Sequence, residues 1–204
     1  MNLLTYLSIL SSFSPFLFFL FNHRIKSEGW LFALIFSCTF TEVVSYFMAL
    51  KGFSNVLLFT SYTLLEGVLI LLIISRKTGT VFAKYGSLFF IVILSVLFLV
   101  TVINKLSNDI INSTESIIVF SFSIYFFAHL FQEAEVPSLN KYYFFWINAG
   151  FLFYFGANLF IDSTEHYFRV SKGQEVLFLW NFHLVINIIY NVLLTIGVWK
   201  IAAK

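Results

Sequence analysis

One cysteine and two prolines are all that the 204 residues contain, and charged side chains make up only 11% of them. Each shortage excludes something. A lone thiol, Cys38, cannot form an intrachain disulfide, and its place inside an apolar run makes it a small packing residue rather than a redox group. With 12 Lys and Arg against 10 Asp and Glu, the net charge of +2 is too small to point to nucleic acid. The scarcity of charge matters most, because soluble domains carry roughly a quarter charged residues.

Apolar residues take the place of the missing charge. They make up 60% of the chain, and the mean hydropathy is +0.92. A soluble core of this length has no room for so much apolar surface, whereas helical spans of about 20 residues do. Seven apolar stretches, each bounded by charged or turn-forming residues, run over 3–21, 29–50, 55–75, 84–103, 114–132, 142–162 and 178–199. The fold class is therefore all-α: a polytopic membrane protein with seven transmembrane helices forming a single domain over 1–204. Short connectors such as HRIKSEG and KGFSN make sequence neighbours antiparallel neighbours in space. The first stretch lacks a basic start and a small-residue cleavage site, so it reads as a permanent helix rather than a signal peptide. Pro15 within it predicts a kink.

Orientation follows from lysine and arginine, which favour cytoplasmic loops. The N-terminus and the even-numbered connectors hold four of them, Lys51, Lys105, Arg169 and Lys172, while the other side holds the remaining eight of 12. That places the N-terminus outside and the C-terminus inside, in the inner membrane of a bacterium. Trp30, Trp146, Trp180 and Trp199 each fall near a span end, where an indole buries its ring and wets its N–H. The 29 phenylalanines are lipid-facing or packing material, and no cofactor is expected.

The longest charged outer connector, STEHYFRVSKGQEV, is placed to cover the outer mouth of the bundle, with His166 beside Glu165 read as a solvated loop histidine. NKLSNDIINSTES reads as a second solvated loop. Its NST triplet suits a glycan only on a eukaryotic secretory route.

Any chemistry must come from polar residues at membrane depth, where a carboxylate costs about 2.5–3.5 kcal/mol and needs a partner. Glu42 in FSCTFTEVVSY and Glu66 in SYTLLEGVL lie mid-span. Thr39, Glu42, Ser45 and Tyr46 share one face of the second helix, and Asn55, Tyr62 and Glu66 one face of the third, so each acid has a tyrosine one turn away. His183, Asn187 and Asn191 recur every four residues in the seventh helix, as do Tyr154, Asn158 and Asp162 in the sixth and Ser121, Tyr125 and His129 in the fifth. The topology puts Glu42, Glu66, Asn158, His183 and Asn187 between the midplane and the outer half, and His129 nearer the cytoplasm. The expected ligand contacts are Glu42, Tyr46, Tyr62, Glu66, Asn158, His183, Asn187 and Asn191, with Glu66 central.

Four readings of these residues compete. Amides and carboxyls that only hydrogen-bond helix to helix would account for part of the pattern. Paired acids beside a histidine exceed that need and point to a pocket for a small ligand or a proton. An intramembrane hydrolase would use His183, Glu42 and Glu66 as zinc ligands. However, there is no HExxH or HxxxH, and Asn187 stands where seven-helix hydrolases of the ceramidase and adiponectin-receptor type would place another histidine. The chain therefore leans away from an enzyme and from a bound metal. A small-solute carrier would show hinge prolines in repeated helices, but Pro15 and Pro137 are the only prolines and no repeat is convincing. Retinal chemistry fails because the seventh helix has no lysine before Lys200.

YTLLEGVLIL, AGFLFYFGANLFI and NFHLVINIIYNVLLTIGVWK resemble segments of small bacterial seven-helix membrane proteins related to the N-terminal sensing modules of histidine kinases. The resemblance implies a membrane-embedded receiver that passes a helix movement to a partner. No kinase follows Trp199 here, so output would run through a separate protein or a homo-oligomer. Besides that, the expected partner is the lipid bilayer, with no nucleic acid.

Overall fold

The computed structural model describes residues 3–21, 28–104, 108–133, 139–168 and 174–203. Arg24, Lys26, Lys105, Pro137, Arg169, Lys172 and Lys204, together with the side chains of Glu165 and His166, lie outside what is described. Among the described residues, seven helices are long and apolar enough to cross a membrane, which makes this a multi-pass membrane protein. They are α1 (Leu3–Phe21), α2 (Gly29–Leu50), α3 (Val56–Thr78), α4 (Val81–Ile103), α5 (Asp109–Glu133), α6 (Tyr143–Phe168) and α7 (Gln174–Ala202), with a 3-10 turn at Leu139–Lys141.

The first two helices match the apolar runs, and the last three outrun them. α5 begins at Asp109 rather than 114, α6 continues to Phe168 rather than 162, and α7 starts at Gln174 rather than 178. Much of each stretch read as a solvated connector is therefore helix. Hydropathy marks where lipid is tolerated. A helix continues past that point wherever its polar side chains find partners inside the bundle.

Local chemistry sets the turns. Gly79, at φ 69°, ends α3 in the left-handed region, and the Thr80 side chain accepts from the Ala83 N–H to start α4, so two residues reverse the chain. Gly52, at φ 70°, plays the same part after α2. Pro15 sits within α1 and cannot donate to the Ser11 carbonyl, and Ser14 Oγ donates to that carbonyl at 2.8 Å instead.

Six helices close a ring in the order α1, α2, α3, α5, α6, α7, and α4 packs outside against α3 and α5. Half of the most apolar window of α3 is buried against 17% in α4, which separates the centre of the bundle from its rim. Tyr85, Phe89, Val92, Val96, Leu99 and Ile103 form an exposed apolar stripe along α4. The ring has two unlike halves. Towards the end that carries the α3–α4 turn, it is filled with apolar side chains: Leu34 and Ile35 from α2, Ile70 and Ile74 from α3, Phe122 and Phe126 from α5, Ile147 and Phe151 from α6, and Leu194 and Val198 from α7. At that same end Lys77 Nζ and the Tyr143 hydroxyl both reach Glu28 Oε1 at 2.6 Å and contact each other, tying α3, α6 and the start of α2 together. Tyr125 and His129 also belong to that end, where they meet Thr80 Oγ1 at 3.0 Å and the Thr78 carbonyl at 3.2 Å. The opposite half, towards the start of α1, is polar.

Candidate functional site

The polar half is assembled by interhelical rungs. Along α3 and α5, Thr60 Oγ1 donates to Asn108 Oδ1 at 2.5 Å and Thr63 Oγ1 to Asn112 Oδ1 at 3.0 Å. The next step brings Glu115 of α5 against Gly67 of α3. Asn108, Asn112 and Glu115 follow helical spacing, so the polar start of α5 is a face turned to α3. The NST triplet lies on this helix, and its Asn112 is half-buried rather than displayed on a loop. Ser113 Oγ donates to Asp162 Oδ2 at 3.2 Å, which fastens α5 to α6.

On the other side of the ring, Asn187 joins three helices. Its Nδ2 donates to Glu42 Oε1 of α2 at 2.6 Å and to Ser8 Oγ of α1 at 2.8 Å. His183 Nδ1 lies 3.3 Å from Asn158 Oδ1, which joins α7 to α6. The His183 ring lies 6.1 Å from the rings of both Tyr154 and Trp180, and Tyr154 stacks on Tyr190 at 4.6 Å.

These walls enclose a cavity of about 450 Å³. Cys38, Thr41 and Glu42 of α2 line it, with Tyr62, Thr63 and Glu66 of α3, Asn112, Glu115 and Ser116 of α5, Tyr154, Asn158 and Asp162 of α6, and Trp180, His183, Asn187 and Tyr190 of α7. Its volume falls in the range of small-molecule pockets, roughly 300–1,000 Å³. Glu66 Oε1, Glu115 Oε1, Glu42 Oε2 and the Tyr190 hydroxyl are buried without a hydrogen-bond partner. Tyr62 stands one turn before Glu66, close enough for its hydroxyl to interact with that carboxyl and with the Cys38 thiol.

Of the residues expected from sequence, Glu42, Tyr62, Glu66, Asn158, His183 and Asn187 surround the cavity. Tyr46 and Asn191 do not. Tyr46 instead packs edge-on against Phe47 at 5.8 Å, and Asn191 Nδ2 turns to Ser11 Oγ of α1 at 3.0 Å. Glu115 is the main addition. It is 4% exposed, and the spacing of Asn108, Asn112 and Glu115 is the sequence signal that marks it. Among the described residues no three His, Cys, Asp or Glu side chains come together to hold a metal ion, so His183, Glu42 and Glu66 do not form a ligand set. No protein-family model, curated protein or solved structure matches this chain.

Proposed function

We propose that the protein is a membrane-embedded binding protein of the bacterial inner membrane, with its N-terminus outside, that takes a small ligand or a proton into the polar half of its ring and acts through a partner. One observation carries this reading. The cavity draws polar groups from five helices, yet buried oxygens of Glu42, Glu66 and Glu115 have no hydrogen-bond partner. Polar residues that served only to join helices would be satisfied by one another, as Ser14 Oγ of α1 and Thr195 Oγ1 of α7 are at 2.7 Å. The apolar plug below the cavity gives it one polar end, which suits reception better than passage. A ligand that touches α2, α3, α5, α6 and α7 together biases their packing, and a partner or a second copy reads that change.

The test is native mass spectrometry of the gently extracted protein beside a Glu42→Gln/Glu66→Gln variant. A reproducible non-lipid mass or a co-extracted chain on the wild type, absent from the variant, supports the reading. A bare wild type whose thermal stability the double substitution leaves unchanged overturns it and leaves the polar residues as helix-joining groups.

A further inference from the structure

The cavity is one-sided in charge. Four of the chain's ten acidic side chains, Glu42, Glu66, Glu115 and Asp162, line it, and of the 12 lysines and arginines none that is described does. Glu66 and Glu115 are each 4% exposed, line the cavity from neighbouring helices and keep one oxygen without a hydrogen-bond partner. Ionisable groups within a membrane pair with one another or serve as counter-charges to a ligand, and the one lysine of α3, Lys77, is held by Glu28 at the other end of the bundle. The rest of the wall suits a cation too. The buried Tyr190 ring and the Tyr154 ring stacked on it line the cavity with these acids, Trp180 lines it beside His183, and aromatic faces attract ammonium groups.

We infer that the cavity takes an organic cation, an ammonium on an apolar or aromatic body, with Glu66 and Glu115 as its counter-charges and the Tyr154, Tyr190 and Trp180 rings around it. This rests on the binding reading above and names the ligand class for that site. An anion would meet four acids and, among the described residues, no lysine or arginine, and a neutral ligand would leave the buried carboxyl groups to be neutralised by protons alone.

Equilibrium dialysis of the full chain in neutral maltoside micelles tests the inference, with empty micelles subtracted. The probes are benzyltrimethylammonium, benzyl alcohol and phenylacetate, which share an aromatic body and differ in charge. The expected result is saturable binding of one benzyltrimethylammonium per chain, at least tenfold tighter than either other probe and weakened at least fivefold by Glu66→Gln and by Glu115→Gln. Should an acid variant fail to fold, Trp180→Leu serves instead and weakens the cation without affecting the alcohol. Displacement of the probe by phosphatidylethanolamine but not by phosphatidylglycerol assigns the ammonium to a lipid headgroup, whereas displacement by neither assigns it to a soluble amine. Saturable binding of the alcohol or of phenylacetate as tight as the cation overturns the inference while the binding reading stands. No saturable binding of any probe overturns the inference, and a bare wild type in the native mass spectrum then removes the binding reading as well.

Discussion

Gly67 makes the room that Glu115 occupies: a Cβ at position 67 would stand 3.1 Å from Glu115 Oε1 and 2.9 Å from Leu94 Cδ1. The glycine follows Glu66 directly, so this close contact of α3 with α5 bears on how near the two acids stand. Gly67→Ala gains helix propensity of about 1 kcal/mol but overpacks a buried contact, a cost of about 1–3 kcal/mol. The expected outcome is a net loss of thermal stability in micelles. In a Glu115→Ala background the same substitution meets only the end of the flexible Leu94 side chain and should be neutral or stabilising. A double-mutant cycle by thermal unfolding checks the coupling, and additive effects would show that the two positions do not press on each other.

Asn187 and Asn191 are one turn apart and differ in what they hold. Asn191 Nδ2 donates to Ser11 Oγ, and its Oδ1 is buried without a partner, so Asn191→Leu removes one rung together with an unsatisfied group. Interhelical hydrogen bonds in membranes average about 0.6 kcal/mol, and the variant should stay within about 1 kcal/mol of wild type. Asn187→Leu takes the donor from Glu42 Oε1 as well as from Ser8 and should cost about 1–3 kcal/mol, since a charged or strongly polar acceptor loses its partner while still buried. Unfolding of both variants in the same micelle decides the matter, and an equal loss would contradict the assignment.

Much of the fold is legible in hydropathy because lipid selects for it directly. α1 and α2 end where HRIKSEG and KGFSN bring charge or glycine, and there the apolar run and the helix coincide. The starts of α5 and α7 and the end of α6 are not legible this way, because residues such as Asn112, Glu115 and Asp162 are polar yet face the ring interior. Periodicity rather than hydropathy marks them. The outer position of α4 has a sequence correlate that only the packing explains: its window has the highest mean hydropathy of the seven, 2.8, and it packs mainly on α3 and α5. Within the cavity, four-residue spacing grouped Tyr154, Asn158 and Asp162 correctly on one wall. The same spacing leads to Tyr46 and Asn191, which meet Phe47 and Ser11 rather than the cavity.

At the far end of the bundle, Glu28 accepts from Lys77 Nζ and from the Tyr143 hydroxyl, each at 2.6 Å. The Lys77 and Glu28 side chains are 20% and 19% exposed, so the pair is neither a surface ion pair worth almost nothing nor a fully desolvated one. The carboxylate sits just before the start of α2 and the ammonium in the last turn of α3, where both helix dipoles favour them. Lys77→Met should cost about 1–2 kcal/mol, as expected for a charge-assisted bond whose acceptor keeps one donor. Tyr143→Phe should cost less, because Lys77 still neutralises Glu28. Thermal unfolding at low and high salt checks the order, and a loss for Lys77→Met that disappears in high salt would mean that the pair is solvated.

The charge asymmetry of the connectors makes a prediction that bears on how the cavity is reached. The end near the polar half carries the 51–55 connection with Lys51, and the plugged end carries Arg76, Lys77, Lys84, Lys141 and Lys200. In the proposed orientation, with the basic residues on the cytoplasmic side, the plug faces inward and the cavity outward. In a Cys38→Ala background, Ser54→Cys should react with a membrane-impermeant maleimide added to intact cells, and Lys84→Cys should react only after the cells are opened. Both positions are solvent-exposed at helix ends, so a difference in labelling reports the side of the membrane rather than burial. The reverse pattern would turn the polar half to the cytoplasm, and the ligand would then have to come from inside the cell. Equal labelling of both sites in intact cells would indicate mixed insertion. That outcome would remove the basis for assigning the cavity to either side.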